Sequence, residues 1–396
     1  MKIGIVILKD DPQIGGGMTF VQEVLDALSR HLSRSDHKFY LLGSESAKPA
    51  HLAHIPLPWI TLRWVNTRTL REDGVTYDFD SYPEVGAERF DLLYYLHPWS
   101  CPIKDIPYIH TVWDLQHRRQ PFFPEVTLGG EFDRREEMYR RSLQRATYII
   151  AANNVGKAEI IAFYQVAPER VRAIHHPTPT FAVRAAAHPD EEALFKRLGI
   201  TGDYLFYPAQ MWPHKNHILL LLMLNDLRVR HGDELQLVLT GSDRGNLDFL
   251  KRRVQELALE NQVIFAGFVS QADLVPIYQR AVAMVFPSLF GPENFPPLEA
   301  FALGCPVIAG DVPGAKEQMG GDTAILLDPT KPELWSEAVH RLRQDLKLRQ
   351  SLIDKGKQRA ASFTADDFIT AIYGLIDEFA SYRRTWPSAE DPAGLA

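Results

Sequence analysis

The chain has 396 residues, 45% hydrophobic and 23% charged, with a formal net charge of -7. Length and composition are those of a globular protein of two domains, each able to bury its own core. The acidic balance argues against a nucleic-acid binder, which needs a basic face, and no apolar run approaches the ~18 residues of a membrane span. Cys101 and Cys305 form no metal or disulfide pattern and fit a reducing, cytoplasmic compartment. No secretory leader is expected, because Met1-Lys2 runs directly into a strand-like segment.

Residues 3–8 are nearly all apolar, the pattern of a strand buried on both faces of a parallel sheet. Gly15-Gly16-Gly17 follows, and then a helix over residues 19–32 with Val21, Val24, Leu25 and Leu28 on one face. Strand, glycine loop and helix together cradle anions, because backbone N–H groups and the helix dipole converge. A plain tight turn accounts for the same glycines. The spacing is not that of a nicotinamide-dinucleotide fingerprint. After a strand at residues 39–42, residues 44–88 lack periodicity and are expected as loops and short helices on the surface. Strands at 92–96 and 107–112 end in polar residues. His97, His110, Asp114 and His117 are therefore candidates, since open α/β sheets do their chemistry at strand C-termini.

Residues 131–145 read as a solvated amphipathic helix, with Glu131–Arg135, Glu136–Arg140 and Glu137–Arg141 at i,i+4 and Phe132, Tyr139 and Leu143 inward. A strand at 148–152, a helix at 154–164 and a strand at 171–174 complete the first half. His175-His176-Pro177-Thr178-Pro179 and the alanine-rich run after it mark a linker near residue 180. The histidine pair has no further ligands at zinc-like spacing, so no metal site is expected.

The second half restarts the alternation, with strands at 204–207, 235–239, 263–265, 282–286, 307–308 and 324–327 and helices between them. The fold class is therefore α/β, with a second doubly wound sheet. Lys215 stands at the start of a helix, against the dipole preference. That placement makes sense if an anion sits there too; an exposed lysine is the alternative reading. Farther on, the apolar strand 282–286 runs into a turn rich in Gly, Pro and Asn. Pro296-Pro297 opens a short helix, where a missing N–H costs nothing, and Gly304 closes it. Glu299 lies about one turn inside, among apolar neighbours. A surface glutamate competes with a ligand-facing one at that position. The last helix, from residue 364 to about 379, carries Phe368, Ile372, Leu375, Ile376 and Phe379 as its apolar stripe, and the tail after it is expected to fray.

Several of these residues fall into a familiar order. They are Gly15-Gly16-Gly17, Asp114-Leu115, Pro213-His214-Lys215-Asn216, Gly267-Phe268-Val269, Phe286-Pro287-Ser288 and Pro297-Leu298-Glu299-Ala300 with Gly304-Cys305-Pro306-Val307. Pro313-Gly314 and Glu317 follow. In this order and spacing the chain resembles the retaining glycosyltransferases of family 4. The resemblance implies a GT-B fold, two doubly wound Rossmann-like domains facing each other across a cleft. The expected domains are an N-terminal, acceptor-side domain over 1–180 and a C-terminal, donor-side domain over 181–363. A helix over 364–383 crosses back toward the first domain, and 384–396 form a flexible tail.

The resemblance also implies roles. Lys215 contacts the donor diphosphate and stabilises the leaving nucleotide, and Glu299 accepts hydrogen bonds from the ribose hydroxyls. Gly267, Phe268 and Val269 meet the nucleobase, and Gly16 and Gly17 come over the phosphates. Three departures stand out. Gly291 occupies the place of the family's first paired glutamate, with Glu293 two residues on, and backbone N–H groups of Asn294 and Phe295 are the expected replacements at the helix mouth. Gln210 stands where a cation is usual. Trp113 stands in place of the usual histidine before Asp114, and either His110 or His117 takes that place or no histidine does. The candidate catalytic residues are thus Lys215, His110, His117 and Glu293. The donor-binding set is Gly16, Gly17, Gln210, Lys215, Gly267, Phe268, Val269, Asn294, Phe295, Pro296, Leu298 and Glu299.

The implied activity is transfer of a mannose-, glucose- or N-acetylhexosamine-type sugar from a UDP- or GDP-sugar to a hydroxyl of a glycan or lipid-linked acceptor. No metal or other cofactor is expected. The compartment expected is the cytoplasm, including the inner face of the membrane. The rival readings are a GT-B sugar-nucleotide epimerase or phosphorylase, and a nucleotide-sugar-binding protein with altered chemistry. Need for a second, sugar-accepting substrate separates the first, and nucleotide binding without donor consumption marks the second.

Overall fold

The computed structural model describes residues 1–7, 16–44, 47–62, 68–71, 74–77, 89–98 and 106–386. Gly15, Cys101 and the tail from 387 lie outside the described residues. The chain divides into two compact units, one of residues 1–115, 130–175 and 365–396, the other of residues 116–129 and 176–364.

In the first unit the strands are β1 (Lys2–Ile7), β2 (Lys38–Gly43), β3 (Trp59–Thr61), β4 (Arg68–Arg71), β5 (Gly74–Tyr77), β6 (Leu92–Tyr95), β7 (Tyr108–Val112), β8 (Tyr148–Ala151) and β9 (Val171–Ala173). Seven of them form a sheet in the order β3-β2-β1-β6-β7-β8-β9, parallel throughout. β4 and β5 pair antiparallel by themselves, inside the stretch that shows no periodicity. β6, β7 and β8 are buried at every position, as a parallel sheet covered on both faces requires. The covering helices include α1 (Gly16–His31), α2 (Glu131–Arg145) and α3 (Asn154–Tyr164). Gly16 and Gly17 form the first turn of α1, so the helix starts earlier than the sequence pattern places it.

The second unit carries β10 (Tyr204–Pro208), β11 (Gln236–Thr240), β12 (Val263–Gly267), β13 (Ala283–Phe286), β14 (Val307–Gly310) and β15 (Ile325–Leu327). Their order is β12-β11-β10-β13-β14-β15, again all parallel. Helices α4 (Glu191–Leu198), α5 (His217–His231), α6 (Leu247–Glu256), α7 (Gln271–Arg280), α8 (Phe295–Ala302), α9 (Pro332–Gln344) and α10 (Leu346–Ala361) pack around it. α5 buries Leu219, Leu220, Leu221, Met223, Leu224 and Leu227, and Trp335 of α9 is fully buried. The unit begins at His176, a few residues before the proline-rich linker pattern centres. The reason is packing: Thr178 donates from N to Phe363 O at 2.8 Å and from Oγ1 to Ala360 O at 2.7 Å.

The last helix, α11 (Ala365–Arg383), belongs to the first unit. Its stripe of Phe368, Ile372, Leu375, Ile376 and Phe379 is buried. Phe368 meets Phe20 of α1 edge to face at 5.6 Å, and Tyr373 donates to the His31 carbonyl at 3.1 Å. Arg172 Nη2 donates to both oxygens of Glu378 at 3.0 Å, a charge-assisted contact. Among the described residues no helix is long and apolar enough to cross a membrane.

Candidate active site

Strand order in the second unit reverses between β10 and β13. Open parallel sheets take their ligands at the C-terminal ends of the strands beside such a reversal. Two loops meet there, residues 209–216 after β10 and residues 287–294 after β13, and the Leu289 N–H joins them by donating to the His214 carbonyl at 2.8 Å.

The first loop is shaped by its own residues. Pro213 opens a single 3₁₀ turn and Asn216 closes it at φ 57°, ψ 39°. Asparagine is among the few residues other than glycine that tolerate that conformation. Its Nδ2 donates to the carbonyls of Pro287 at 3.2 Å and Pro329 at 2.7 Å. The Tyr207 hydroxyl donates to the Lys215 carbonyl at 2.8 Å. With its backbone tied in this way, Lys215 places Nζ 3.4 Å from Asn294 Oδ1 and 5.2 Å from the Phe286 ring centroid, within cation–π range.

The second loop depends on two glycines. Gly291 sits at φ 134°, and a Cβ there would lie 2.5 Å from the Asn294 side chain. Its absence lets Asn294 fold back and donate from Nδ2 to the Gly291 carbonyl at 3.1 Å. Gly314, at φ 91°, lies under Pro292, whose carbonyl oxygen a Cβ would meet at 2.2 Å. The Asn294 N–H donates to Gln318 Oε1 at 3.1 Å, and its carbonyl accepts from Gln318 Nε2 at 2.6 Å. The Asn294 amide, expected as a donor at the helix mouth, is therefore already engaged. α8 follows with Phe295 and Leu298 buried and Pro296 half-buried. Glu299, only 8% exposed, takes a hydrogen bond from the Tyr278 hydroxyl at 2.7 Å. Burial and the Glu299 charge push the Tyr278 hydroxyl well above its ordinary pKa, so it stays a donor.

The other donor-side candidates line up along the same sheet end. Gln210 donates to Ser242 Oγ at 3.2 Å and accepts from Trp212 Nε1 at 3.0 Å. Gly267, at φ 67°, ends β12, and its carbonyl accepts from the Gly241 N–H at 2.8 Å. Phe268 is 79% exposed and Val269 half-buried. The structure thus joins Lys215 to Asn294 directly and sets Glu299 one turn farther along α8.

The proposed acid–base residues are placed differently. His110, with no exposed surface, lies in the middle of β7 among the rings of Tyr95, Tyr108 and Tyr139, centroids 6.1–6.5 Å away. Burial lowers its pKa to about 4, the state of a neutral core histidine. His117 is likewise fully buried, in a short helix, Gln116–Arg119, that belongs to the second unit. The Glu293 side chain has no exposure and accepts from the His176 N–H at 3.1 Å. All three side chains are buried, where strand-end position suggests exposure: position along a strand is visible in sequence, and depth is not. In the first unit, His97 is buried against Trp113, ring centroids 5.3 Å apart, and Asp114 pairs with Arg135 at 3.3 Å. Gly16 is exposed and Gly17 half-buried.

Tyr278 and Gln318 were not singled out from sequence. Each reaches the site from a neighbouring helix, 21 residues before Glu299 and 24 after Asn294, and no local pattern marks such partners. Among the described residues no three His, Cys, Asp or Glu side chains are grouped to hold a metal ion.

Two doubly wound α/β units make a fold that solved structures share. HepE of Anabaena, in complex with UDP and glucose, aligns over 96% of this chain and 100% of its own with a TM-score of 0.73 at 17% identity. The fold is GT-B. Residues 21–180 match the family model described as Glycosyltransferase Family 4, and residues 190–359 match that of Glycosyl transferases group 1. The chain belongs to the family 4 type of glycosyltransferase. An uncharacterised glycosyltransferase of Methanocaldococcus jannaschii is 22% identical over 290 residues, 69% of this chain and 71% of the relative. The O-antigen chain mannosyltransferase RfbU of Salmonella typhimurium is 24% identical over 240 residues, 60% of this chain and 63% of the relative's length.

Proposed function

We propose that the chain is a retaining glycosyltransferase that moves a hexose-type sugar from a UDP- or GDP-sugar to a hydroxyl of a glycan or lipid-linked acceptor. The observation that carries this reading is Lys215 Nζ, 3.4 Å from Asn294 Oδ1 at the mouth of the helix that bears Glu299. A diphosphate at that mouth meets a lysine charge and a helix N-terminus together, two favourable terms for an anion. Lys215 offsets the charge that grows on the leaving nucleoside diphosphate as the sugar C1–O bond breaks. Glu299, oriented by Tyr278, accepts the ribose hydroxyls, and the residues 267–269 meet the base. The acceptor oxygen bonds to C1 on the face the diphosphate leaves, and its proton passes to a phosphate oxygen of the departing nucleotide. That route needs no side-chain base, which fits the burial of His110, His117 and Glu293.

Support for the nucleotide comes from HepE, solved with UDP and glucose, and for a hexose from the O-antigen mannosyltransferase relative. A panel of UDP-, GDP-, ADP- and CDP-sugars offered with simple glycoside acceptors tests the reading, with product anomeric configuration read by NMR. Lys215→Ala and Glu299→Ala are each expected to lose donor turnover. Undiminished turnover in both variants, or an inverted product, refutes it.

A further inference from the structure

Residues 116–129 come between two stretches of the first unit in sequence and yet fold with the second. This strap lies against the two loops that carry Lys215 and Asn294. Glu125 Oε1 accepts from the His214 N–H at 3.2 Å and bonds the His214 ring at Nδ1. Gln120 Nε2 donates to the Leu289 carbonyl at 2.9 Å, and the Phe123 ring faces that of His214 edge-on at 6.2 Å. Because Leu289 N–H in turn donates to the His214 carbonyl, the strap holds both loops at the point where they hold each other. The next residue after His214 is Lys215, and Leu289 leads within two residues to Gly291.

This contact is built rather than incidental. The side chains of Glu125 and His214 are only 6% and 12% exposed, and Val126 anchors the strap with no exposed surface. Pro124 opens the strap's second short helix, and Gly129 and Gly130, at φ 67° and 74°, turn the chain out of it. The Glu125 carboxyl is pushed up by burial, but the bond to His214 and backbone N–H groups outweigh that and hold it below the ordinary range. A buried carboxylate with one strong partner is costly to disturb from either side. The loops are also tied by the Tyr207 hydroxyl to the Lys215 carbonyl, by Asn216 to Pro287 and Pro329 and by Asn294 to Gln318; the strap adds its contacts between these points, at His214 and Leu289.

We infer that Glu125, with Gln120, is a positioning residue for donor binding: through His214 and Leu289 it sets the separation of Lys215 from the Gly291–Asn294 turn. The inference rests on the donor reading of that site. Neither residue is assigned a contact with substrate, so removing either should loosen donor binding first and, through the displaced Lys215, slow the chemical step to a smaller degree.

The experiment measures initial rates against donor concentration at saturating acceptor, and UDP and GDP affinity by calorimetry, for the full chain and for Glu125→Ala, Glu125→Gln and Gln120→Ala. Donor KM is expected to rise about tenfold in Glu125→Ala, with kcat within about threefold of wild type. Glu125→Gln, which keeps an oxygen to accept the His214 N–H, is expected to recover most of the loss, and Gln120→Ala to fall between. Unchanged KM and nucleotide affinity in both alanine variants overturn the inference, as does a fall in kcat at constant KM. If Glu125→Ala does not fold, Glu125→Gln and Gln120→Ala decide it by the same measures. A wild-type chain that binds neither nucleotide overturns the donor reading itself, and this inference with it.

Discussion

His217 is a test of how burial near the donor loops is linked to pH. It is the first residue of α5, two positions after Lys215, and its ring packs 4.8 Å from that of Tyr207 with 1% of the residue exposed. Burial, aided by the charges of Lys215 and His214, lowers its pKa to about 3. In the unfolded chain an imidazole takes its proton near pH 6.5. The unfolded state therefore binds a proton that the folded state refuses, and stability falls as pH falls below about 6.5. Each pH unit in that window is worth about 1.4 kcal/mol. From pH 7.5 to 5.0 the penalty from this one ring reaches about 2 kcal/mol, while unfolded-chain carboxylates, with pKa values near 4, contribute little. The perturbation is His217→Gln, which removes the titration while keeping a polar side chain. Urea unfolding followed by tryptophan fluorescence at several pH values gives the stability of both proteins. Whatever the variant loses at pH 7.5, the gap between it and wild type should narrow by about 2 kcal/mol at pH 5.0. A gap that is constant across this range would refute a neutral, buried His217.

Two further substitutions test the geometry of the site. Tyr278→Phe removes one hydrogen bond to Glu299 Oε2, a charge-assisted bond to a largely buried carboxylate, which should cost about 1–3 kcal/mol in urea unfolding and weaken UDP or GDP binding measured by calorimetry. Gly314→Ala forces a Cβ against the Pro292 carbonyl at a φ of 91°. The atom met is backbone, so relief requires the loop itself to move: a loss of about 1–3 kcal/mol is expected, together with weaker nucleotide binding as the Gly291–Asn294 turn shifts; an unchanged melting temperature would show that the loop relaxes freely.

What local sequence could determine here was periodicity and punctuation. The all-apolar run ending at Phe286, the prolines that open α8, Gly304 beyond its end and the spacing of the α11 stripe each act over a turn or two of chain. Their physics is steric and short in range, so strands, helices and the repeated α/β alternation are legible without a fold. The same holds for Lys215 and Glu299, marked as charges standing where local preference does not put them. Tertiary structure decided what depends on residues far away in sequence. His110 looked like a strand-end histidine and is a core ring, because three tyrosines from three segments enclose it. Glu293, next to the turn that carries Asn294, points inward to His176. Most tellingly, the strap that contains His117, Gln120 and Glu125 follows a first-unit strand in sequence and packs with the second unit. Burial and partnership are sums over the whole surrounding chain, and only folding brings Glu125 to His214.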